Sequence, residues 1–530
     1  MKSSDPRQDA ASSGSKSTAT QESDLQTEFE RRQAVALAMG GSSKLDKRRE
    51  QAVLNARERI ERLVDENSFI ESGLFATSSV SEADRSRTPA DGKIVGYARI
   101  NGREVAVVSN DFTVMGASSS ATNGKKIAQM KRVATQRGLP LIFLGESSGA
   151  RMPDTMGARG MGSMLGADPT QYQRTRETPW AAAVLGFCYG SSTWYTALSD
   201  FSVMRKGAVL AVSSPQLVSL AVKEAIDPEE LGGWRLHAQI TGLVDRVVDT
   251  DDEALDAIRT FLDYLPSHCN EAPPVRAVPA GSGTTTRDIG ALLPEQRTQV
   301  YDMRDILQAV VDRDSLFELK ARFGKSAVTA LARLNGRSVG IIANNPLHKG
   351  GALDTDACEK ITRFIVLCDS FNIPLVMFVD TPGFIIGLDA ERKRAPGKIM
   401  NFMSALALVS VPKLSIILRK SYGQAYLNMG GGRNSDEVAA WPSAEISFMN
   451  PHYAAQIVHG LKPGDDAFDD VLQQMDKDSS AYDIAGNYGI QHVILPQDTR
   501  EYLIRMLDVH RLRLTDGVGA HRMHTWPSTF

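Results

Sequence analysis

Apolar and polar positions along the chain fall into the same order twice. In the first half, "REVAVVSN" (103–110) is a short β-branched run, "GKKIAQMKRVATQRG" (124–138) carries apolar residues at helical spacing, and "LPLIFLGESSG" (139–149) is an apolar run ending in small residues. In the second half, "RSVGIIAN" (337–344) repeats the first run, and "IPLVMFVDTPGF" (373–384) repeats the strand that enters a glycine turn. Such runs predict strands, and the 3.6-residue spacing between them predicts a helix. Strand, helix and strand in alternation make the fold class α/β.

The repetition extends to identity. "ARINGREVAVVSN" (98–110) aligns without gaps on "ARLNGRSVGIIAN" (332–344), so Gly102 meets Gly336 and Asn110 meets Asn344. The same offset pairs Gly116 with Gly350, Lys126-Ile127 with Lys360-Ile361, Pro140 with Pro374 and Gly149 with Gly383. Roughly a quarter of positions agree over about fifty residues, the mark of two duplicated units. Upstream, "VDENSFIE" (64–71) matches "VDRDSLFE" (311–318) in a longer register, which places an insertion near "SSVSEADRSRTPA" (78–90), expected as a surface loop. Between the copies lies a Pro-, Gly-, Ser- and Thr-rich stretch, "SHCNEAPPVRAVPAGSGTTTRD". The expected organisation is a disordered tail over 1–25, a first domain over 26–266, a linker over 267–288 and a second domain over 289–530.

Composition removes several function classes. The formal net charge of the 530 residues is −3, with no basic block to meet a nucleic-acid backbone. The four cysteines, Cys188, Cys269, Cys358 and Cys368, form no C-x-x-C pair, which fits a reducing, cytoplasmic setting rather than a disulfide framework or zinc ribbon. No apolar run approaches the roughly 20 residues of a membrane span. The first 25 residues lack the apolar centre of a secretory signal.

Candidate chemistry concentrates at four junctions: "GESSGARM" (145–152), "GFCYGSSTWY" (186–195), "DTPGFIIG" (380–387) and "RKSYGQAYLNMGGG" (419–432). A small residue where a strand gives way to a helix lets an oxygen approach unpaired main-chain N–H groups, the construction of an oxyanion hole. A single turn of this kind often only closes a βα unit; matched placement in both halves raises the four together. The alternatives lack their motifs: no G-x-S-x-G elbow, no H-E-x-x-H and no phosphate loop are present. His237, His348 and His452 have no ligand spacing and read as structural, so no metal is expected. Glu146 and Asp380 stand at equivalent strand ends; a general-base role is conceivable, but acceptance of hydrogen bonds from the adjoining turns fits better. "GGG" (430–432) reads as a helix terminator.

At these junctions the sequence resembles the carboxyltransferase (β) subunits of biotin-dependent acyl-CoA carboxylases, of the propionyl-CoA carboxylase type. "NDFTVMGASSSATNGKKI" is similar to D-F-T-x-x-G-G-S, "GESSGARM" to D-S-G-G-A-R and "GFCYGSSTWYTALSDF" to G-P-C-A-G-G-A-x-Y-x-x-A-L-x-D-F. "DPEELGGW", "VDTPGF", "RKSYGQAY" and "AWPSAEISFM" resemble further segments, from about residue 26 to the C-terminus. The resemblance implies two tandem crotonase-like (ClpP-like) ββα-spiral domains. It also implies acyl-CoA held by the N-terminal half and carboxybiotin by the C-terminal half of a neighbouring subunit, with biotin itself as base. By motif position, the amides of Gly190 and Ser191 would receive the thioester oxygen, and those of Gln424 and Ala425 the ureido oxygen of biotin. Ser148, Gly149 and Ala150, with Gly383, Phe384 and Gly423, would line the two sites, and Leu427 the acyl pocket. Lys125 and Lys126, with Arg132, are candidates for the CoA phosphates.

The chain departs from the pattern at Ser191 and Gln424, where the family has glycine, at Glu146, where it has aspartate, and at Ser148, where it has glycine. No biotinylation signature is present ("QMKR" stands at 129–132), so the resemblance implies a partner, a biotin carboxylase or biotin carboxyl carrier subunit. It further implies a homodimer as the active unit and a hexamer built as a trimer of such dimers. Three alternatives stay open at this level: a biotin-dependent decarboxylase or transcarboxylase subunit, a biotin-independent crotonase-like enzyme acting on CoA esters through Glu146, and a non-catalytic scaffold subunit.

Overall fold

The computed structural model describes residues 11–80, 82–164 and 170–527. Each copy of the repeat opens with an antiparallel hairpin, a feature beyond the simple strand–helix–strand reading. In the first copy β1 (Ile70–Ser72), β2 (Lys93–Ile100) and β3 (Arg103–Asn110) pair antiparallel. The turn is Asn101-Gly102, with φ of +51° and +77°. Asparagine and glycine accept this left-handed backbone, whose twist matches that of the flanking strands. Asp65 secures it by accepting from the Asn101 and Gly102 amides at 2.9 and 2.7 Å.

The second copy repeats the device. Its strands are β9 (Phe317–Leu319), β10 (Ala327–Leu334) and β11 (Arg337–Asn344). Asn335 and Gly336 turn at +52° and +76°, and Asp312 accepts from both amides at 3.0 and 2.7 Å. The matching "VDEN" and "VDRD" segments therefore exist to clasp the matching "NG" turns.

After the hairpin each copy crosses over a helix into parallel strands. Helix Ala121–Arg137 is started by Ser120, whose hydroxyl accepts from Asn123, and stopped by Gly138 at φ +71°. It buries Ile127, Met130 and Ala134 against the sheet. Strands β4 (Leu141–Ser148), β5 (Trp180–Tyr189), β6 (Phe201–Arg205), β7 (Val209–Ala211) and β8 (Arg246–Val248) complete the first sheet, in the order β1-β2-β3-β4-β5-β6-β8 with β7 on β5. The second half supplies helix Thr355–Ser370, then β12 (Leu375–Thr381), β13 (Lys413–Tyr422), β14 (Glu437–Ala440), β15 (Glu445–Ser447) and β16 (His492–Val493). Their order, β9-β10-β11-β12-β13-β14-β16 with β15 on β13, mirrors the first sheet.

The halves are packed into one body. Phe201 stacks on Phe261 and approaches Phe317 of the other half at 5.7 Å, inside a core that both halves supply. Tyr264 donates to the Ser315 carbonyl at 2.6 Å, and Arg363 to that of Ser199 at 2.9 Å. The 267–288 stretch is pinned rather than loose: the Arg276 amide donates to Gly336, and Asn372 holds the carbonyls of Cys269 and Glu271. The C-terminal segment returns to the first half, where Arg176 donates to the Trp526 carbonyl.

Two expectations are corrected. The disordered tail over 1–25 gives way, within the described residues, to a helix Ala11–Leu37, because polar but Gly- and Pro-poor sequence allows helix to propagate backward from an anchored end; residues 1–10 lie outside the description. The insertion over 78–90 is not a plain loop: it holds helix Glu82–Arg87 and ends in buried Ala90, followed by buried Asp91.

Candidate active site

The first-half site forms where β4 and β5 end side by side, with Ser148 opposite Tyr189. Beyond β4, the Ser119 amide donates to Gly149 and the Arg151 amide donates to Ser119, both at 2.8 Å. Extended backbone alternates its amides, so the Ala150 N–H is turned to the opposite side, where β5 lies. Beyond β5, Gly190 takes φ +65° and ψ −123°, and helix Ser191–Leu198 begins at once. Thr193 and Trp194 donate back to the Gly190 carbonyl. The Ser191 and Ser192 amides precede them in the first turn and have no intrahelical acceptor. A Cβ on Gly190 would sit 3.6 Å from the Gly149 Cα, which measures how closely the two turns approach.

The second half reproduces this construction. The Leu353 amide donates to Gly383 at 3.0 Å and the Ile385 amide to Leu353 at 2.8 Å, which turns the Phe384 N–H the other way. Gly423, at φ +61° and ψ −145°, follows β13 directly and opens helix Gln424–Asn428. Tyr426 donates back to Gly423, leaving the Gln424 and Ala425 amides at the helix start. Gly190 and Gly423 share a conformation that L side chains rarely adopt, and each is followed by a first helical turn whose amides present partial positive charge.

The first-half turns open on a cavity of about 340 Å³ that brings together Ala150, Gly190, Ser191 and Lys125. Its walls include Tyr172, Trp194 and Tyr195, with Tyr195 stacked on Phe143 at 4.8 Å. Ser119 also lines it, and its hydroxyl lies 2.7 Å from that of Ser191. Sequence reasoning passed over Ser119, Tyr172 and Trp194. For Ser119 a signal existed, since the constant offset that aligns the copies places it on Leu353.

The carboxylates at the strand ends are structural. Glu146 is buried and accepts from Arg48 at 2.8 Å and Arg59 at 2.7 Å. Burial by itself would raise its pKa, but Arg59 and Arg48 outweigh burial and hold it below the usual glutamate value. A carboxylate held ionised by two arginines is a weak base, poorly suited to taking a carbon-bound proton. Asp380 accepts from Arg419 at 2.9 Å and from the Tyr301 hydroxyl at 3.0 Å. The partners are thus arginines more than adjoining turns. His237 is also structural: it meets the Leu210 carbonyl through Nε2 at 2.6 Å, and burial lowers its pKa.

Lys126 is corrected as a phosphate ligand. Its ammonium is buried and bonded to the carbonyls of Gly73, Ala90 and Lys93, so every donor is spent within the fold. Lys360, its partner in the repeat, is bound likewise to Phe323 and Ala327 at 3.1 and 2.7 Å. Lys125 and Arg132, by contrast, are exposed. Leu427 lies on the second-half helix, partly exposed, and is not part of the first-half cavity wall. Among the described residues no group of three or more His, Cys, Asp or Glu is placed to hold a metal, and no helix is long and apolar enough to cross a membrane.

Two parallel-dominated α/β units each end a strand pair in a glycine-opened helix with spare amides, the arrangement of a duplicated α/β enzyme fold with one such turn per copy. Residues 47–516 match the carboxyl transferase domain, and the chain belongs to that family. It is 33% identical over 502 residues to the mitochondrial propionyl-CoA carboxylase beta chain of Sus scrofa, covering 94% of this chain and 92% of that one. It is 32% identical over 483 residues to the methylmalonyl-CoA decarboxylase subunit alpha of Veillonella parvula, covering 89% and 93%. The solved transcarboxylase 12S hexamer, with methylmalonyl-coenzyme A and methylmalonic acid bound, superposes with a TM-score of 0.86 at 33% identity, covering 93% and 97%. The protein is therefore a carboxyltransferase of the propionyl-CoA carboxylase beta type, with a duplicated crotonase-like fold.

Proposed function

We propose that the chain transfers a carboxyl group between biotin and the α-carbon of an acyl-CoA, with one backbone hole for each reacting oxygen. The single observation that carries this reading is the equivalence of the Gly190 and Gly423 turns, each opening a helix with spare amides beside a strand end whose next amide faces it. In the first half, Gly190, Ser191 and Ala150 would receive the thioester oxygen as charge develops on it, within a half comprising 26–266. In the second, comprising 289–530, Gln424, Ala425 and Phe384 would receive the ureido oxygen of biotin.

The residues of the second half fit such a group. Glycine is required at Gly423, where a Cβ would meet the Phe448 carbonyl at 3.1 Å in a strained backbone, and the Gln424 side chain folds back to Asn428 at 3.3 Å. The added glutamine thus leaves its own amide accessible. When bound, carboxylated biotin supplies both the carboxyl carbon and the base. The chain's contribution is to place two oxygens on preorganised donors and to keep Glu146 and Asp380 neutralised by arginine, away from the proton being moved.

The biotin would arrive on a separate carboxylase or carrier subunit, and a homodimer, assembled into a hexamer as in the 12S structure, would bring the first half of one copy to the second half of another. The Ile386, Leu388, Phe448 and Tyr453 side chains, all exposed in one chain, support such a face. Lys125 remains the candidate for the CoA phosphates. A reducing, cytoplasmic setting accords with four free cysteines, three of them buried. The relatives run the half-reaction in both directions, so the test is exchange: carboxyl transfer from methylmalonyl-CoA to free biotin by the purified chain, followed as carboxybiotin formed. Transfer above the uncatalysed rate is expected; none, at saturating biotin, would overturn the reading.

A further inference from the structure

The second half shows what is distinctive in the first. Ser119 and Leu353 are equivalent, since each brackets the turn after its strand through the same two main-chain bonds. Ser191 and Gln424 are equivalent as the first residues of their helices. In the second half these two side chains part company: Leu353 is apolar and buried, and Gln424 turns to Asn428. In the first half they are two hydroxyls in contact, both on the wall of the cavity.

Two hydroxyls in contact share one proton and retain the other, with lone pairs to spare. Neither Ser119 nor Ser191 has a further side-chain hydrogen-bond partner among the described residues. The cavity wall mixes apolar residues, Ile127, Met164, Trp194 and Tyr195, with polar ones, and an apolar ligand group set against the serine pair would dry it without replacing its water. A ligand oxygen able both to donate and to accept recovers what water gave. The position of that oxygen is constrained as well. Ser191 carries the amide assigned to the thioester oxygen and the hydroxyl in question on one residue, so the two ligand oxygens lie close together. The α-carbon must stay clear for deprotonation and carboxylation, which leaves the β-carbon.

The geometry points to Ser119 and Ser191 as specificity-determining residues that select acyl-CoA thioesters bearing a hydroxyl on the β-carbon over unsubstituted chains. This rests on the carboxyltransferase reading above, with the first half as the thioester site. The test is calorimetric titration of the full chain with 3-hydroxybutyryl-CoA and butyryl-CoA, esters that differ only by the hydroxyl. The hydroxylated ester is expected to bind roughly ten- to hundred-fold more tightly. Ser119→Ala brings the ratio to within about threefold, whereas Ser119→Thr, which restores a hydroxyl, keeps it; a packing role alone would not give that rescue. Equal affinities in the wild-type chain, or a ratio that survives Ser119→Ala, would overturn the inference and leave carboxyl transfer standing. If neither ester binds, the thioester assignment of the first half fails, and the inference with it.

Discussion

Helices Ala121–Arg137 and Thr355–Ser370 are the same element of the repeat in two different surroundings. The first exposes Lys125 and Arg132, and its opening turn forms part of the cavity through Ala121, Gly124 and Lys125. The second is buried along most of its length, covered by helix Ala395–Leu408 and tied to the first half through Arg363. One scaffold thus presents an open wall in one copy and a sealed one in the other. A ligand with a long polar tail, as CoA has, needs the open copy. On the carboxyltransferase reading proposed above, that asymmetry would divide labour between the halves.

The comparison is sharpened first at the buried carboxylates. Arg59 is fully buried between Glu146 and Asp251, at 2.7 and 2.9 Å. Arg59→Met strips both of a partner and should cost about 3–5 kcal/mol in denaturant unfolding. Arg419→Met should cost less, because it deprives one carboxylate of a partner rather than two, and Asp380 keeps Tyr301 at 3.0 Å and Lys420 at 3.7 Å. Equal losses would show that the two networks contribute equally to stability.

Next come the turn clasps. Asp312 is fully buried and also pairs with Arg500, so Asp312→Ala should lose about 2–4 kcal/mol. Asp65→Ala, at the more exposed first turn, should lose about 1 kcal/mol. A larger loss at Asp65 would reverse the ranking of the two hairpins.

A smaller effect is read as a slope with pH. Burial lowers Lys360 to about 7 and Lys126 to about 8. A depressed lysine binds fewer protons folded than unfolded, so its contribution to stability grows as pH rises from the folded pKa toward the unfolded value near 10.4, and is lost as pH falls back. Each lysine adds at most about 1.4 kcal/mol per pH unit in that window. Between pH 8 and pH 9.5, Lys360→Met should flatten the wild-type rise in unfolding free energy; an unchanged slope would place the Lys360 ammonium in a solvated setting.

Much of this was legible in the chain. The gapless match of "ARINGREVAVVSN" to "ARLNGRSVGIIAN" is a hairpin written twice, and the glycines at 190 and 423 stand where only positive φ lets a strand turn straight into a helix. Less legible was what each polar side chain finds in three dimensions. Lys126 looked like a surface cation, yet it shares a helix face with Met130 and is aligned with Lys360, both signs of an inward position. Glu146 meets arginines ninety or so residues upstream, a pairing that no local pattern encodes. The N-terminal segment misled because composition reports the lack of a core, and a helix docked by one end needs none of its own.

The central claim, two main-chain holes in two copies of one turn, is tested most directly by removing one donor from each. Proline is tolerated at the first helical position and deletes only the N–H there. Ser191→Pro and Gln424→Pro, assayed for carboxyl transfer from methylmalonyl-CoA to free biotin, should each lower the rate about 10²–10³-fold, with Ser191→Gly and Gln424→Gly close to wild type. Rates for both proline variants within about threefold of wild type, in chains that unfold at the wild-type temperature, would contradict the account.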